Sequence, residues 1–305
     1  MNKLFGSIDS QLYHENTCDD MGVKHTWYNA EVKDSFITNK GTHVEMVARP
    51  KWGIACYMDN AIQSCEVDEK LYHETLVHPV MSSADNAKKI MIIGGGEGAT
   101  LREVLKWNTV EKVDMYEWDK DVVDLFKKKY PQWAQGAWND PRVTLYYEDI
   151  FEVIVKTPRD VYDVIIIDLF DPCDENVVQW YILLKSLQYW VSTAGSIVMY
   201  SGIRNILVKS QPYHILYAIM TEHKELVNSM LINKLLIDKE IIPYKVFIPS
   251  FSGESTFLLI KSVNTSTDSM FNVDNVDNVA TVSNVANVSM HLTNDIWNSY
   301  KTFNW

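Results

Sequence analysis

The chain has 305 residues, 47% of them hydrophobic, enough for one large core with an accessory part. Its 40 Asp and Glu against 28 Lys and Arg leave a net charge of -12. That balance argues against a basic face for nucleic-acid phosphates as the main function; it suits a cationic ligand, or simply a soluble acidic surface. Cys18, Cys56, Cys65 and Cys173 form no CxxC pair and no zinc spacing, so reduced thiols and a cytoplasmic location are expected. The opening stretch MNKLFGSIDSQLYHENTCDD has no apolar run of signal-peptide length. No stretch reaches the ~18 apolar residues of a membrane span, so no membrane partner is expected.

Residues 1–33 read as a polar, irregular segment. A small β-hairpin domain is expected over 34–78. HVEMVA alternates, Pro50 interrupts, GIACYM reads as a second strand, Asp59-Asn60 is a turn signal and AIQS follows it. In VDEKLYHETLVHPVM, Val67 and Leu71 are four apart, as are Tyr72 and Leu76, which predicts a helix ended or kinked by Pro79. From 79 to 262 strands and helices alternate: IMII, ATLREVLKW, KVDMYE, DVVDLFKKKY, VTLYYED, VYDVIIID, VVQWYILLKSLQYWV and GSIVMYS. A helix over Val208 to Lys224 and strands near Lys245–Ile248 and Thr256–Ile260 complete the set. This alternation predicts an α/β fold: a mostly parallel, doubly wound, Rossmann-like sheet behind a small antiparallel N-terminal domain. Residues 263–305 form a low-complexity tail with recurring Asn-Val pairs, expected to be disordered or lightly ordered.

In such a sheet, ligands lie beyond the carboxyl ends of the strands. Four ends carry polar residues. The first strand runs into GGGEG, with Gly94, Gly95, Gly96 and the acid Glu97. Glu117 ends the second strand, 23 residues after Gly94, the spacing of an acid that grips ribose hydroxyls. Asp149 ends the third, where a helix N-cap is the competing reading. Asp168 ends the fourth, with Asp171 three residues on and Pro172 after it. A carboxylate in a glycine loop would repel a pyrophosphate. It would welcome a nucleoside with a cationic sulfonium and no phosphate, such as S-adenosylmethionine and its relatives. The Asp168/Asp171 pair could hold a cationic amine, and one carboxylate could take its proton, since an alkylammonium with a pKa near ~10.4 has no free lone pair at neutral pH. The bland alternative makes Asp171-Pro172 a turn and Asp168 a cap.

IMIIGGGEGATLREVL, MYEWDKDVVDLF, YYEDIFEVI and YDVIIIDLFDP, with the upstream WGIACYMDNAIQSCEVDEKLYHETLVHP, resemble the polyamine aminopropyltransferases: the spermidine, thermospermine and spermine synthases. The resemblance runs from Trp52 to Ile260. DLFDP and IPSF look more like the thermospermine synthase branch than like spermidine synthases. The resemblance implies a class I methyltransferase-like sheet and transfer of the aminopropyl group of decarboxylated S-adenosylmethionine, as co-substrate, to an amine such as putrescine or spermidine, releasing methylthioadenosine. It implies Asp168 as the general base, and Tyr72, His73, Asp171, Tyr200 and Phe251 at the amine. It implies Gly94, Gly95, Gly96, Glu97, Glu117, Trp118, Asp149 and Ile150 around the nucleoside, with Glu97 on the aminopropyl ammonium. It implies no prosthetic group, no metal, no nucleic-acid partner and a homodimer or homotetramer.

Departures cluster at the amine end. Thr42 or His43 stands where the family has one glutamine, Tyr200 stands at a second, and CDENVV replaces a Gly-Pro loop. Two other readings therefore stay open. One is an S-adenosylmethionine-dependent methyltransferase, against which DLFDP and YHE together argue. The other is a non-catalytic relative with an altered amine site.

Overall fold

The computed structural model describes residues 12–14, 25–84, 86–173, 175–204, 212, 215–216 and 239–262. Their contacts divide the chain into one unit of Met1–Lys70 with Pro249–Phe251 and another of Leu71–Ile248 with Ser252–Trp305. The division falls between Lys70 and Leu71, rather than at the 78/79 boundary set from Pro79.

In the first unit, β1 (Leu12–His14) and β2 (Thr26–Tyr28) pair antiparallel. Strands β3 (Glu31–Ile37), β4 (His43–Arg49), β5 (Gly53–Met58) and β6 (Ala61–Cys65) form an antiparallel meander. Asp59 and Asn60, both at positive φ (49° and 64°), make the two-residue turn that matches strand twist between β5 and β6. The expectation of an irregular segment over 1–33 is corrected by β1, β2 and the start of β3. These strands are short or largely exposed, so they show little apolar alternation; the edge strand β3 is exposed except at the half-buried Asp34 and Phe36. Tyr13, Ala30, Val47, Ala55, Tyr57 and Cys65 are buried together. Beside them the buried Arg49 lies 3.8 Å from the centre of the Trp27 ring and donates to Tyr57 Oη and Cys65 Sγ, each at 2.9 Å. The Asp68 carboxylate accepts the Ser250 amide at 2.7 Å, which ties the segment 249–251 to this unit.

The second unit is built on seven strands: β7 (Lys89–Gly94), β8 (Lys112–Tyr116), β9 (Val143–Tyr146), β10 (Tyr162–Asp168), β11 (Val191–Arg204), β12 (Lys239–Ile248) and β13 (Gly253–Ser262). Their spatial order is β12-β13-β11-β10-β7-β8-β9. The five strands from β11 to β9 are parallel, and β12 and β13 add an antiparallel edge. Ile90 to Ile93 and Val164 to Ile167 are at most 1% exposed, as expected of parallel strands covered on both faces. The connecting helices are α2 (Ala99–Leu105), α3 (Lys120–Lys129), α4 (Ile150–Val153) and α5 (Val177–Ser186). The chain winds outward from β7 through β8 and β9, then returns to the other side of β7 with β10. The β7/β10 pair is thus the topological switch point, where open α/β sheets bind ligands.

Helix α1 (Glu69–Ser83) passes through Pro79, so of the expected end or kink the end does not occur. A proline removes the amide that would reach the carbonyl four residues earlier, here that of Thr75. The Tyr244 hydroxyl donates to that carbonyl at 3.0 Å and replaces the missing bond. The helix expected over Val208 to Lys224 lies mostly outside the described residues, as does the Asn-Val tail.

Candidate functional site

Gly94 and Asp168 are register partners at the carboxyl end of the switch point. The Gly95 amide donates to the Asp168 carbonyl at 3.2 Å. Only glycine fits at 94: φ is +82°, and a Cβ would stand 2.1 Å from the Asp168 carbonyl oxygen. Gly98, also at φ +82°, leaves room for the Trp138 ring, which a Cβ would meet at 2.4 Å. These close approaches turn the chain from β7 into α2 directly over the end of β10.

The Asp168 carboxylate is held from two sides. Tyr72 Oη, from α1, donates to Oδ1 at 2.9 Å, and Thr100 Oγ1, from the first turn of α2, donates to Oδ2 at 2.6 Å. Burial raises the Asp168 pKa above the usual carboxylate range, and the negative charge of Glu97 adds to the rise. The neighbouring His73 and the two hydroxyl donors oppose it. His73 Nε2 lies 3.0 Å from Glu97 Oε1. Burial also pushes the Tyr72 phenol well above its ordinary value, so it stays a donor. Asp171 sits where solvent reaches but protein crowds, and this desolvation lifts its carboxyl to about 6.

Glu117 follows β8. Its Oε1 accepts the Asp119 amide at 2.9 Å, and its Oε2 is 3.0 Å from where a Cβ on Gly96 would stand. Burial pushes Glu117 up to about 7, with the charges of Asp119 and Glu97 contributing. Trp118 beside it is 45% exposed. Asp149 caps α4 by accepting the Phe151 amide at 2.9 Å, the structural use weighed for it in the sequence, and Ile150 is buried in the core.

Tyr200 lies on β11 at the position after Met199, which pairs with Ile167; it therefore flanks Asp168 at the sheet end. Its ring meets those of Tyr72 and Phe257 edge-on at 5.5 and 5.8 Å. Tyr72, His73, the glycine loop, Glu97, Glu117, Asp168 and Tyr200 thus lie together. Phe251 falls in a short 3-10 turn of the other unit. Sequence reasoning missed Thr100, which carried no signal beyond its place five residues after Gly95. It also missed the Asp119 amide. Among the described residues no cluster of His, Cys, Asp and Glu suits a metal, and no helix is long and apolar enough to cross a membrane.

The chain is similar to known proteins at this site. The spermine/spermidine synthase domain matches residues 69–184. A polyamine aminopropyltransferase 1 of Hyperthermus butylicus is 50% identical over 123 residues, 40% of this chain and 42% of that protein. A polyamine aminopropyltransferase of Sulfurisphaera tokodaii is 41% identical over 151 residues, 48% of this chain and 50% of that protein. The chain thus matches about half the length of these curated relatives. Two solved structures share the fold at 22% identity. One is a spermidine synthase in complex with the transition state analogue AdoDATO, with TM-score 0.74 over 99% of both chains. The other is the spermidine synthase of Thermotoga maritima, with TM-score 0.72 over 99% of this chain and 98% of that one. The strand ends that gather the acids lie within residues 69–184, the stretch that is similar to the spermine/spermidine synthase domain.

Proposed function

We propose that the protein transfers an aminopropyl group from decarboxylated S-adenosylmethionine to a polyamine or diamine, releasing methylthioadenosine. The observation that carries this reading is Asp168 itself: a half-buried carboxylate of raised pKa at the switch point, under the negative charge of Glu97, with Glu117 at another strand end and Asp171 three residues along the loop. The hydrogen bonds to Asp168, Glu97 and Glu117 described above come from two hydroxyls, an imidazole and a backbone amide. Such acids favour a cationic nucleoside and a cationic amine.

In the proposed chemistry Asp168 takes a proton from the acceptor ammonium. The freed nitrogen lone pair attacks the carbon beside the sulfonium, the C–S bond breaks, and its electron pair stays on sulfur. A carboxylate with a raised pKa is the better base for this step. Glu117 would accept the ribose hydroxyls, with Trp118, Asp149 and Ile150 at the adenine end. Glu97, with His73, would hold the aminopropyl ammonium, and Asp171 with Tyr72 the far part of the amine. DLFDP and IPSF support a thermospermine-like acceptor preference over that of a spermidine synthase. The family resemblance also supports a cytoplasmic homodimer or homotetramer.

The test is incubation with decarboxylated S-adenosylmethionine and, separately, putrescine and spermidine, with products read by mass. Methylthioadenosine and an amine heavier by one aminopropyl group are expected. Release with neither amine nor any longer polyamine would overturn the reading. A methylated product from S-adenosylmethionine would replace it with a methyltransferase.

A further inference from the structure

We infer that Thr100 is a positioning residue for Asp168: its buried hydroxyl locks the carboxylate in the one orientation that leaves a lone pair open toward the substrate. The inference rests on the proposed role of Asp168 as base. The geometry is direct. Thr100 is 0% exposed, and its Oγ1 donates to Asp168 Oδ2 at 2.6 Å, within the short range of hydrogen bonds to an ionised oxygen. Tyr72 occupies the other oxygen at 2.9 Å. A carboxylate with one donor on each oxygen, from two separate helices, is no longer free to turn about its Cβ–Cγ bond. Each oxygen keeps a second lone pair for the incoming ammonium.

The path of the chain supplies the contact. A helical threonine usually turns its hydroxyl back to a carbonyl three or four residues earlier. Thr100 instead reaches across the switch point to β10, because Gly94 and Gly98 pack α2 against it. Gly95 keeps the space between them open, since a Cβ there would lie 3.3 Å from Asp168 Oδ2 and 3.5 Å from Thr100 Cβ. Other groups act on Asp168 as well. Glu97 from the glycine loop raises its pKa, and His73 and Tyr72 from α1 lower it. Asp171 lies along its own loop, and Tyr200 flanks it on β11. Thr100 differs from the charged groups in being neutral at every working pH, so its contribution is orientation and hydrogen bonding alone.

The competing view makes Thr100 a packing residue whose methyl group matters and whose hydroxyl does not. Thr100→Val keeps shape and removes the donor, Thr100→Ala removes both, and Thr100→Ser keeps the donor. Two readouts are taken on the full chain: the pH dependence of aminopropyl transfer, and the titration of the Asp168 carboxyl by carbon-13 NMR, assigned with Asp168→Asn. Loss of a donor to the anion should move the Asp168 titration and the acid limb of the rate profile upward by about one unit in both Val and Ala variants. On the acid limb of the profile the rate should fall roughly tenfold, approach wild type at high pH, and return with Thr100→Ser. The KM for the nucleoside should not move. Carboxyl titrations in Thr100→Val and Thr100→Ala that coincide with wild type would overturn the inference. The NMR titration does not need turnover. A wild-type protein inactive with every amine would sink the proposed reaction, and the same spectra would still decide whether Thr100 governs Asp168.

Discussion

The hydroxyl of Tyr244 donates to the carbonyl of Thr75 at 3.0 Å, the acceptor that Pro79 leaves without its helical donor. A buried residue of β12 thus completes the hydrogen bonding of α1, the helix that carries Tyr72 and His73. Tyr244→Phe keeps the ring that stacks on Phe257 at 5.3 Å and removes only the donor. Leaving a buried carbonyl unpaired should cost about 1–3 kcal/mol. Urea unfolding of the two proteins measures it. Equal midpoints would show that the hydroxyl does not compensate for Pro79. A double variant with Pro79→Ala, which restores the amide, should recover much of the loss.

This compensation also shows where sequence reading stops. Periodicity in LYHETLVHPVM located α1, but a proline in a pattern says nothing of a tyrosine 165 residues later on another strand. The parallel strands were legible because burial on both faces forces unbroken runs such as VIIID. The acids at strand ends were legible because a polar residue closing such a run is conspicuous. Strands β1, β2 and β3 were not, since they bury little and follow no clear alternation. Thr100 was not legible either: its hydroxyl acquires a role only when the loop at Gly94 to Gly98 folds α2 onto β10. For Asp149 the sequence left capping and binding open, and the structure shows the cap.

Asp168→Asn should reduce aminopropyl transfer at least ~100-fold, the lower range for removal of a general base. Both hydroxyl donors can still bond the amide oxygen or rotate, so the fold should stand. Nucleoside affinity by calorimetry should change little, because Glu117 and the glycine loop are untouched. Transfer within a few fold of wild type would remove Asp168 from the role of base.

Tyr200 flanks Asp168 and meets Tyr72 and Phe257 edge-on. A ring there offers an apolar face to the methylene chain of an amine. Tyr200→Ala should raise the KM for the amine roughly tenfold, on the scale of one lost aromatic contact. The KM for the nucleoside should stay as it is. Steady-state kinetics with each substrate varied in turn separates the two. Equal effects on both would place Tyr200 in the packing of the sheet end rather than at the amine.

Glu103 on α2 is fully buried, ion-paired with Arg102 at 2.8 Å and Lys106 at 2.7 Å, and 3.1 Å from His78 Nε2. These partners overcome the cost of burial and hold its carboxyl at about 2. A folded pKa below the unfolded one gives stability that is present above the unfolded value near 4.5 and lost as pH falls through about 2. The amount is on the order of 3 kcal/mol. Unfolding free energies between pH 5 and pH 2.5 should fall steeply in wild type. In Glu103→Gln, less stable at neutral pH, the same fall should be shallower. Parallel slopes would show that other carboxylates govern acid stability.

Glu117 has the opposite displacement, and its consequence is in binding. Burial holds it at about 7, so near neutral pH it is only partly ionised. In the proposed binding mode the ribose hydroxyls of a nucleoside donate to the ionised carboxylate and favour it over the acid. Affinity for methylthioadenosine should therefore increase with pH and level off above about 7. Between pH 6 and pH 8 the ratio should be roughly tenfold if ionised Glu117 alone binds. Methylthioadenosine carries no alkylammonium, which keeps Asp168 and Asp171 out of the measurement. Calorimetry in buffers of different ionisation enthalpy should show a proton released on binding at pH 6 and almost none at pH 8. Glu117→Gln, which cannot titrate, should bind more weakly at pH 8 and show a flat profile. A flat profile in wild type would mean that the ribose does not rest on Glu117.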